Sequence, residues 1–238
     1  FADANASVPY VSCKITGYAP FHLLEKLNDG VALDADDQAA VERLHSRMAS
    51  ICEAAARLDV CLYVDAEESW IQDAIDDIVD GLMARYNRDK PTVFTTVQLY
   101  RTDRLAFLKA AHSKAQAAGH ILGVKLVRGA YMEKERARAE ADGYPSPIHG
   151  DKEAVDQDFD AALVYCLDHL EQIAFCAATH NEKSCRLLVD TAHARGVDLQ
   201  HPHIHFAQLY GMSDHISFNL ARAGFNASKY VPYGPVRD

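Results

Sequence analysis

Ile121-Leu122-Gly123-Val124-Lys125-Leu126-Val127-Arg128-Gly129-Ala130-Tyr131 begins as an apolar β-rich run and ends in a charged, glycine-containing turn. A single lysine sits inside the apolar run, and a buried ammonium is costly unless it meets a partner. Gly129 allows the backbone to come close to whatever lies beside the turn. Arg128 has the guanidinium geometry that pairs with phosphate. The plainer reading of Lys125 is a structural ion pair, with Asp65 as the partner.

Outward from this stretch, further β-rich runs lie at Val8 to Ile15, Val60 to Val64, Val93 to Leu99, Ile173 to Ala178, His203 to Tyr210 and Lys229 to Tyr233. Helical patterns alternate with them. Val41, Leu44, Met48, Ile51 and Leu58 recur at three- and four-residue spacing, as do Ile71, Ile75, Ile78 and Leu82. A helix from Arg104 to Ala118 is expected to stop at Gly119. A long helix carries Arg136 and Arg138, another carries Leu163, Leu167 and Leu170, and the next carries Leu187 and Leu188 and ends before Gly196.

Strand–helix alternation implies a parallel sheet covered by helices. A doubly wound open sheet and a closed (β/α)8 barrel both satisfy it. Lys14, Asp65, Gln98, Lys125, His180, Gln208 and Tyr230 all fall where runs end. In a barrel those ends share one rim, whereas in an open sheet they spread along an edge. The shared rim favours the barrel, although only seven runs are countable.

Composition limits the partners. The 238 residues are 49% hydrophobic, which suits one compact domain. The net charge of −10 disfavours nucleic acid, which needs a basic stripe. Lys125, Arg128, Lys134, Arg136 and Arg138 form one local basic stretch that suits a small anion, although from Lys134 onward a solvated helix face explains it. No stretch approaches the ~18 apolar residues of a membrane span. The first residues, Phe1 to Asn5, have neither a charged nor an apolar leader region. They begin without Met, as expected of a processed product or an excised piece. The six cysteines form no C-x-x-C and read as small hydrophobes in a reducing compartment.

Three further groups carry candidate chemistry. G-x-G-x-x-G and the P-loop are absent, so a nucleotide cofactor is not held in the Rossmann manner. Ala178-Thr179-His180-Asn181-Glu182 offers hydroxyl, imidazole, amide and backbone donors suited to phosphate or a flavin edge, or simply a helix cap. Lys14 and Asp65 at neighbouring strand ends could anchor a carboxylate, or form an ion pair without chemistry. His201-Pro202-His203-Ile204-His205 resembles a metal site, but His201 and Pro202 fit the loop before the strand better and further ligands are scarce.

Taken together the chain resembles the FAD-dependent proline dehydrogenases of the monofunctional type, from about Val8 to Gly234. The resemblance rests on five motifs in the family's order: Lys125 to Tyr131, Val64 to Glu68, Ala178 to Asn181, Gln208 to Met212 and Tyr230 to Gly234. It implies a distorted (β/α)8 TIM barrel, a single catalytic domain over residues 1–238, with a first strand and a last helix bearing paired arginines beyond the ends of the sequence. It implies hydride transfer from C5 of L-proline to N5 of FAD, giving Δ1-pyrroline-5-carboxylate. It implies that Lys14 contacts the substrate carboxylate, with Asp65 supporting that basic cluster. Leu126, Tyr131, Leu209 and Tyr230 would wall the pyrrolidine ring. Gln98 and Lys125 would reach the isoalloxazine, and Val127, Arg128, Gly129, Ala130, Thr179, His180 and Asn181 would hold the ribityl and pyrophosphate groups.

The family also passes its electrons to a quinone, which implies peripheral membrane association. The expected place is the cytoplasmic face of the inner membrane in a bacterium, or the mitochondrial matrix side in a eukaryote. Where the family often has Trp after the tyrosine of the first motif, this chain has Met132. A hydroxyproline-preferring branch tends to carry a small residue at the Tyr230 position, so Tyr230 implies a preference for proline. A metal-dependent barrel hydrolase on the histidines, a Schiff-base aldolase on Lys125 or Lys14, and a non-enzymatic binding module are the rival readings.

Overall fold

The computed structural model describes residues 7–198 and 200–232. Within them lie seven strands, all parallel and hydrogen-bonded in sequence order. They are β1 (Tyr10–Cys13), β2 (Cys61–Val64), β3 (Val93–Gln98), β4 (Leu122–Val127), β5 (Ile173–Ala178), β6 (Ile204–Leu209) and β7 (Ala227–Tyr230). Eight helices are described among these residues: α1 (Phe21–Asn28), α2 (Ala35–Leu58), α3 (Ser69–Tyr86), α4 (Arg104–Ala118), α5 (Met132–Asp142), α6 (Lys152–Asp168), α7 (Glu182–Ala194) and α8 (Asp214–Arg222).

The strand order decides between the two candidate architectures. A doubly wound sheet reverses its winding at a switch point. Here each strand adds to the same edge as the one before, with no reversal. The sheet is also rolled. In a flat sheet β1 and β6 would lie roughly 24 Å apart, at ~4.8 Å per strand. Instead the ring of Tyr10 on β1 meets that of His205 on β6 at 4.5 Å. The Tyr230 hydroxyl at the end of β7 donates to Asp65 just after β2 at 3.0 Å. The architecture is that of a (β/α)8 TIM barrel, seven of whose strands lie in the described residues.

Period-two alternation then sorts side chains onto two faces. Leu62, Val64, Val93, Val97, Val124, Leu126, Phe175 and Phe206 face outward into the main core, which they share with helix residues such as Leu44, Ile75, Leu108 and Leu163. The inward face fills the barrel in layers. Its lower layer is aromatic: Tyr10 stacks on Tyr63 at 4.4 Å, and Tyr63 meets Phe94 edge-on at 5.2 Å. Gly123 makes room for this layer, since a Cβ there would lie 2.4 Å from the Val93 carbonyl oxygen and 3.0 Å from Phe94.

Local signals account for the helix ends. Asp34 caps α2 by accepting from the Asp37 amide, and Asn181 caps α7 by accepting from the amides of Lys183 and Ser184. Gly119 ends α4 at φ +71°. The expected run from Val8 is shorter in the structure, because Pro9 has no N–H to give and a 3-10 turn begins at Ile15. The seventh run shifts to Ala227–Tyr230, and Tyr233 lies outside the described residues. Two helices, α1 and α8, were not anticipated from the sequence pattern.

Two consequences are measurable. Gly123→Ala is expected to lower stability by about 1–3 kcal/mol in chemical denaturation, because the added methyl overpacks the lower layer. His205 is held neutral inside the barrel, burial lowering its pKa from 6.5 to about 4. The unfolded chain therefore binds a proton that the fold refuses. Stability should fall as pH drops from about 6.5 towards 4, by on the order of 3 kcal/mol from this group. His205→Phe should flatten that acid limb in denaturation curves taken at several pH values.

Candidate active site

The upper inward layer sits at the C-terminal ends of the strands and is polar. Asp65 is its centre. It accepts hydrogen bonds from Ser12 on β1 at 2.9 Å, from the Lys125 ammonium on β4, and from Tyr230 on β7 at 3.0 Å. Lys125 and Asp65 have side chains only 7% and 14% exposed. Burial works against the Asp65 charge, but the ammonium of Lys125 and the Lys125 and Ser12 hydrogen bonds outweigh it and lower the carboxyl pKa. Lys125 also lies over the rings of Tyr63 at 5.5 Å and Tyr230 at 5.2 Å. The ion pair expected between Lys125 and Asp65 is therefore present. It is also the floor of the barrel mouth.

Lys14 stands above this floor. Its ammonium donates to the Tyr131 hydroxyl at 3.0 Å, linking the end of β1 to the start of α5 across the mouth. Burial opposes its charge, but the Tyr131 hydrogen bond and the charges of Asp65 and Glu67 raise its pKa. A lysine whose charged form is favoured in this way suits anion binding. Leu209 is 45% exposed on the same rim. Leu126 is the exception among the expected wall residues. It alternates away from Lys125, is fully buried and faces the helix layer. Gln208 is likewise turned outward, donating to the Thr179 carbonyl at 3.1 Å and accepting from Ser217 of α8 at 2.8 Å.

The loop Asp65-Ala66-Glu67-Glu68-Ser69 ties the rim together. Glu67 accepts from both the amide and the hydroxyl of Thr16, at 3.1 and 2.6 Å. Its carbonyl accepts from the Gln98 side chain at 2.8 Å. Ser69 donates through its amide and hydroxyl to the two oxygens of Glu135, both at 2.6 Å, and Glu135 is fully buried. Lys134 pairs with Glu68, and Arg138 with Glu25, while Arg138 also covers the Trp70 ring at 4.3 Å. The basic face of α5 is thus tethered as well as partly solvated, which its charge pattern alone did not reveal.

A second group lies beside the mouth. Arg128 follows β4 and donates to Asp156 of α6 at 2.7 Å, to Thr179 at 2.7 Å and to Ser184 of α7 at 3.0 Å, with its guanidinium over the Phe159 ring at 4.3 Å. It braces the Thr179-His180-Asn181 corner. Val127 at the end of β4 is half-buried, and its carbonyl accepts from the Leu99 amide at 2.8 Å. Gly129 has φ +136°, and a Cβ there would strike the Tyr100 ring at 2.4 Å, so only glycine fits. The other side of this backbone, at Gly129 and Ala130, is open to solvent. His180 bonds Ser213 at 2.9 Å, and burial and the charge of Lys229 keep it below its usual pKa.

The three histidines of the His-Pro-His-Ile-His stretch do not converge. His201 and His203 lie before β6 with rings 5.1 Å apart, whereas His205 points into the barrel against Tyr10. Ser12, Glu67, Glu135 and Asp156 are the polar rim residues that the sequence alone did not single out. Glu135 gave little local signal, because it sits among Glu133, Lys134 and Arg136 on a helix of mixed charge.

The family model described as "Proline dehydrogenase" matches residues 2–238. Proline dehydrogenase 2, mitochondrial, of Arabidopsis thaliana is 37% identical over 99% of this chain and 51% of its own length. Hydroxyproline dehydrogenase of Xenopus laevis is 34% identical over 80% of this chain and 42% of its own. The chain thus spans about half or less of the length of these relatives. Among solved structures, proline utilization A from Bdellovibrio bacteriovorus, inactivated by N-propargylglycine, superposes with a TM-score of 0.83 at 21% identity, over 95% of this chain and 22% of that one. A rolled parallel sheet, a polar mouth at its C-terminal rim and a family model that runs almost end to end lead to one assignment: this chain belongs to the proline dehydrogenase family.

Proposed function

We propose that the protein oxidises L-proline to Δ1-pyrroline-5-carboxylate at the barrel mouth. The observation that carries this reading is the mouth's charge arrangement. An exposed, protonated Lys14 lies on one side, a buried Lys125–Asp65 pair forms the floor, and the aromatic rings of Tyr131 and Tyr230 lie between them. A small ring bearing a carboxylate meets a cation and flat apolar walls there.

The donor set suits FAD. Gln98 and Lys125 would hold its ring edge, and the open backbone at Gly129 and Ala130, with Thr179, His180 and Asn181, would hold its phosphates. When bound, FAD supplies the two-electron acceptor. Lys14 binds the carboxylate and so fixes which ring carbon faces the cofactor. Tyr131, Leu209 and Tyr230 exclude water from the ring. Asp65 keeps Lys125 and Tyr230 in place, so that a fixed positive charge waits where negative charge accumulates. Arg128, already engaged by Asp156, Thr179 and Ser184, serves as the brace of the phosphate corner. The final acceptor in this reading is a quinone, reached by peripheral membrane association. No helix among the described residues is long and apolar enough to cross a membrane.

The direct test is dye reduction by the protein with added FAD and L-proline. Turnover that saturates with L-proline and disappears without FAD is expected; turnover indifferent to either would contradict the reading. Tyr230 should set the preference for the unsubstituted ring. Tyr230→Ala is expected to raise the ratio of kcat/KM for trans-4-hydroxyproline over proline by about tenfold or more, since removing a crowding ring is worth ~1–3 kcal/mol in discrimination. An unchanged ratio would remove Tyr230 from that role.

A further inference from the structure

We infer that Glu67 is a positioning residue that holds Lys14 at the mouth and thereby sets affinity for the substrate carboxylate. The inference rests on the proposed reading of Lys14 as the carboxylate anchor. Lys14 is the first residue after β1, and its carbonyl accepts from Gly17 at 3.0 Å, so it opens a tight turn. Lysine is long and flexible, and this side chain is exposed, so where its ammonium points depends on how firmly that turn is held. The holding group is Glu67, whose two carboxylate oxygens take the Thr16 amide and hydroxyl at 3.1 and 2.6 Å.

Glu67 is itself immobilised. It is 4% exposed. Its amide donates to Gln72 at 2.8 Å and its carbonyl accepts from Gln98 at 2.8 Å. Gln72 in turn donates to Asp76 at 2.8 Å, and Asp76 accepts from Arg104 at 2.6 Å. A chain of buried polar contacts therefore runs from the α3–α4 layer to the turn that starts at Lys14. Asp65 cannot perform this task, because its oxygens are taken by Ser12, Lys125 and Tyr230.

Two substitutions separate latch from charge. Glu67→Gln keeps the latch, with the amide oxygen accepting from the Thr16 amide and the amide nitrogen donating to the Thr16 hydroxyl. Glu67→Ala removes it. The experiment uses the full-length protein loaded with FAD. It measures kcat and KM for L-proline, and by calorimetry the Kd of a saturated five-membered-ring carboxylate that cannot be oxidised. Pyrrolidine, which lacks the carboxylate, is the control substrate.

Glu67→Ala should raise KM and the analogue Kd about tenfold while kcat changes about twofold or less and pyrrolidine turnover is unaffected. Glu67→Gln should stay within about twofold of the unmodified protein. Should Glu67→Ala not fold, Thr16→Val removes one of the two latch bonds and should raise the same Kd about threefold. Equal impairment by Gln and Ala, or a fall in kcat with unchanged analogue affinity, overturns the inference. Lys14→Ala is the reference. If it leaves analogue affinity unchanged, the anchor reading fails and the latch falls with it. If it weakens affinity and the Glu67 and Thr16 variants do not, only the latch fails.

Discussion

The Lys125–Asp65 pair at the floor of the barrel mouth is the contact on which the other parts of the site depend. Taking an ammonium and a carboxylate out of water costs several kcal/mol each, and their attraction repays this only with good geometry and extra hydrogen bonds. Asp65 meets the condition with Ser12 and Tyr230, one from each edge strand of the described sheet. The pair therefore does more than neutralise itself. It draws β1, β2, β4 and β7 to one point and keeps the sheet rolled at its polar end, as the Tyr10–His205 contact between β1 and β6 does at its apolar end. A rolled sheet brings polar groups from distant parts of the chain within reach of one small ligand.

A five-residue loop extends that point into a rim. Asp65 faces the floor, Glu67 reaches the turn after β1, the Glu67 carbonyl reaches β3, and Glu68 and Ser69 reach α5. All but the Glu67 carbonyl contact involve a carboxylate, the stronger kind of hydrogen bond. The cost of such an arrangement is sensitivity. Removing one partner leaves another buried and unpaired, so the loop tolerates little change in residue type.

Much of this was legible in the sequence because strand periodicity and strand-end chemistry are local. The seven runs and the polar residues closing them follow from alternation and from turn residues. Facing is less legible. Lys125 and Leu126 are neighbours in one motif, yet period two sends one into the mouth and the other into the helix layer. Gln208 and Leu209 divide in the same way, and only the rolled sheet says which face is which. The short helices α1 and α8 were missed because eight or nine residues give barely two turns of pattern. Glu67 and Glu135 were missed as latches because their partners, Thr16 and Ser69, are 51 and 66 residues away in sequence. The tethering of Arg128 by Asp156 is of the same kind, since a charge on a rim looks available until its counter-ion on another helix is seen.

The most direct test of the central claim is a visible absorption spectrum of the purified full-length protein, recorded before and after anaerobic addition of L-proline. Oxidised-flavin bands that bleach on addition are the predicted result, and they would establish cofactor, substrate and direction of electron flow together. Flavin bands that stay unchanged with saturating L-proline would contradict the assignment of the Asp65-centred mouth to proline oxidation.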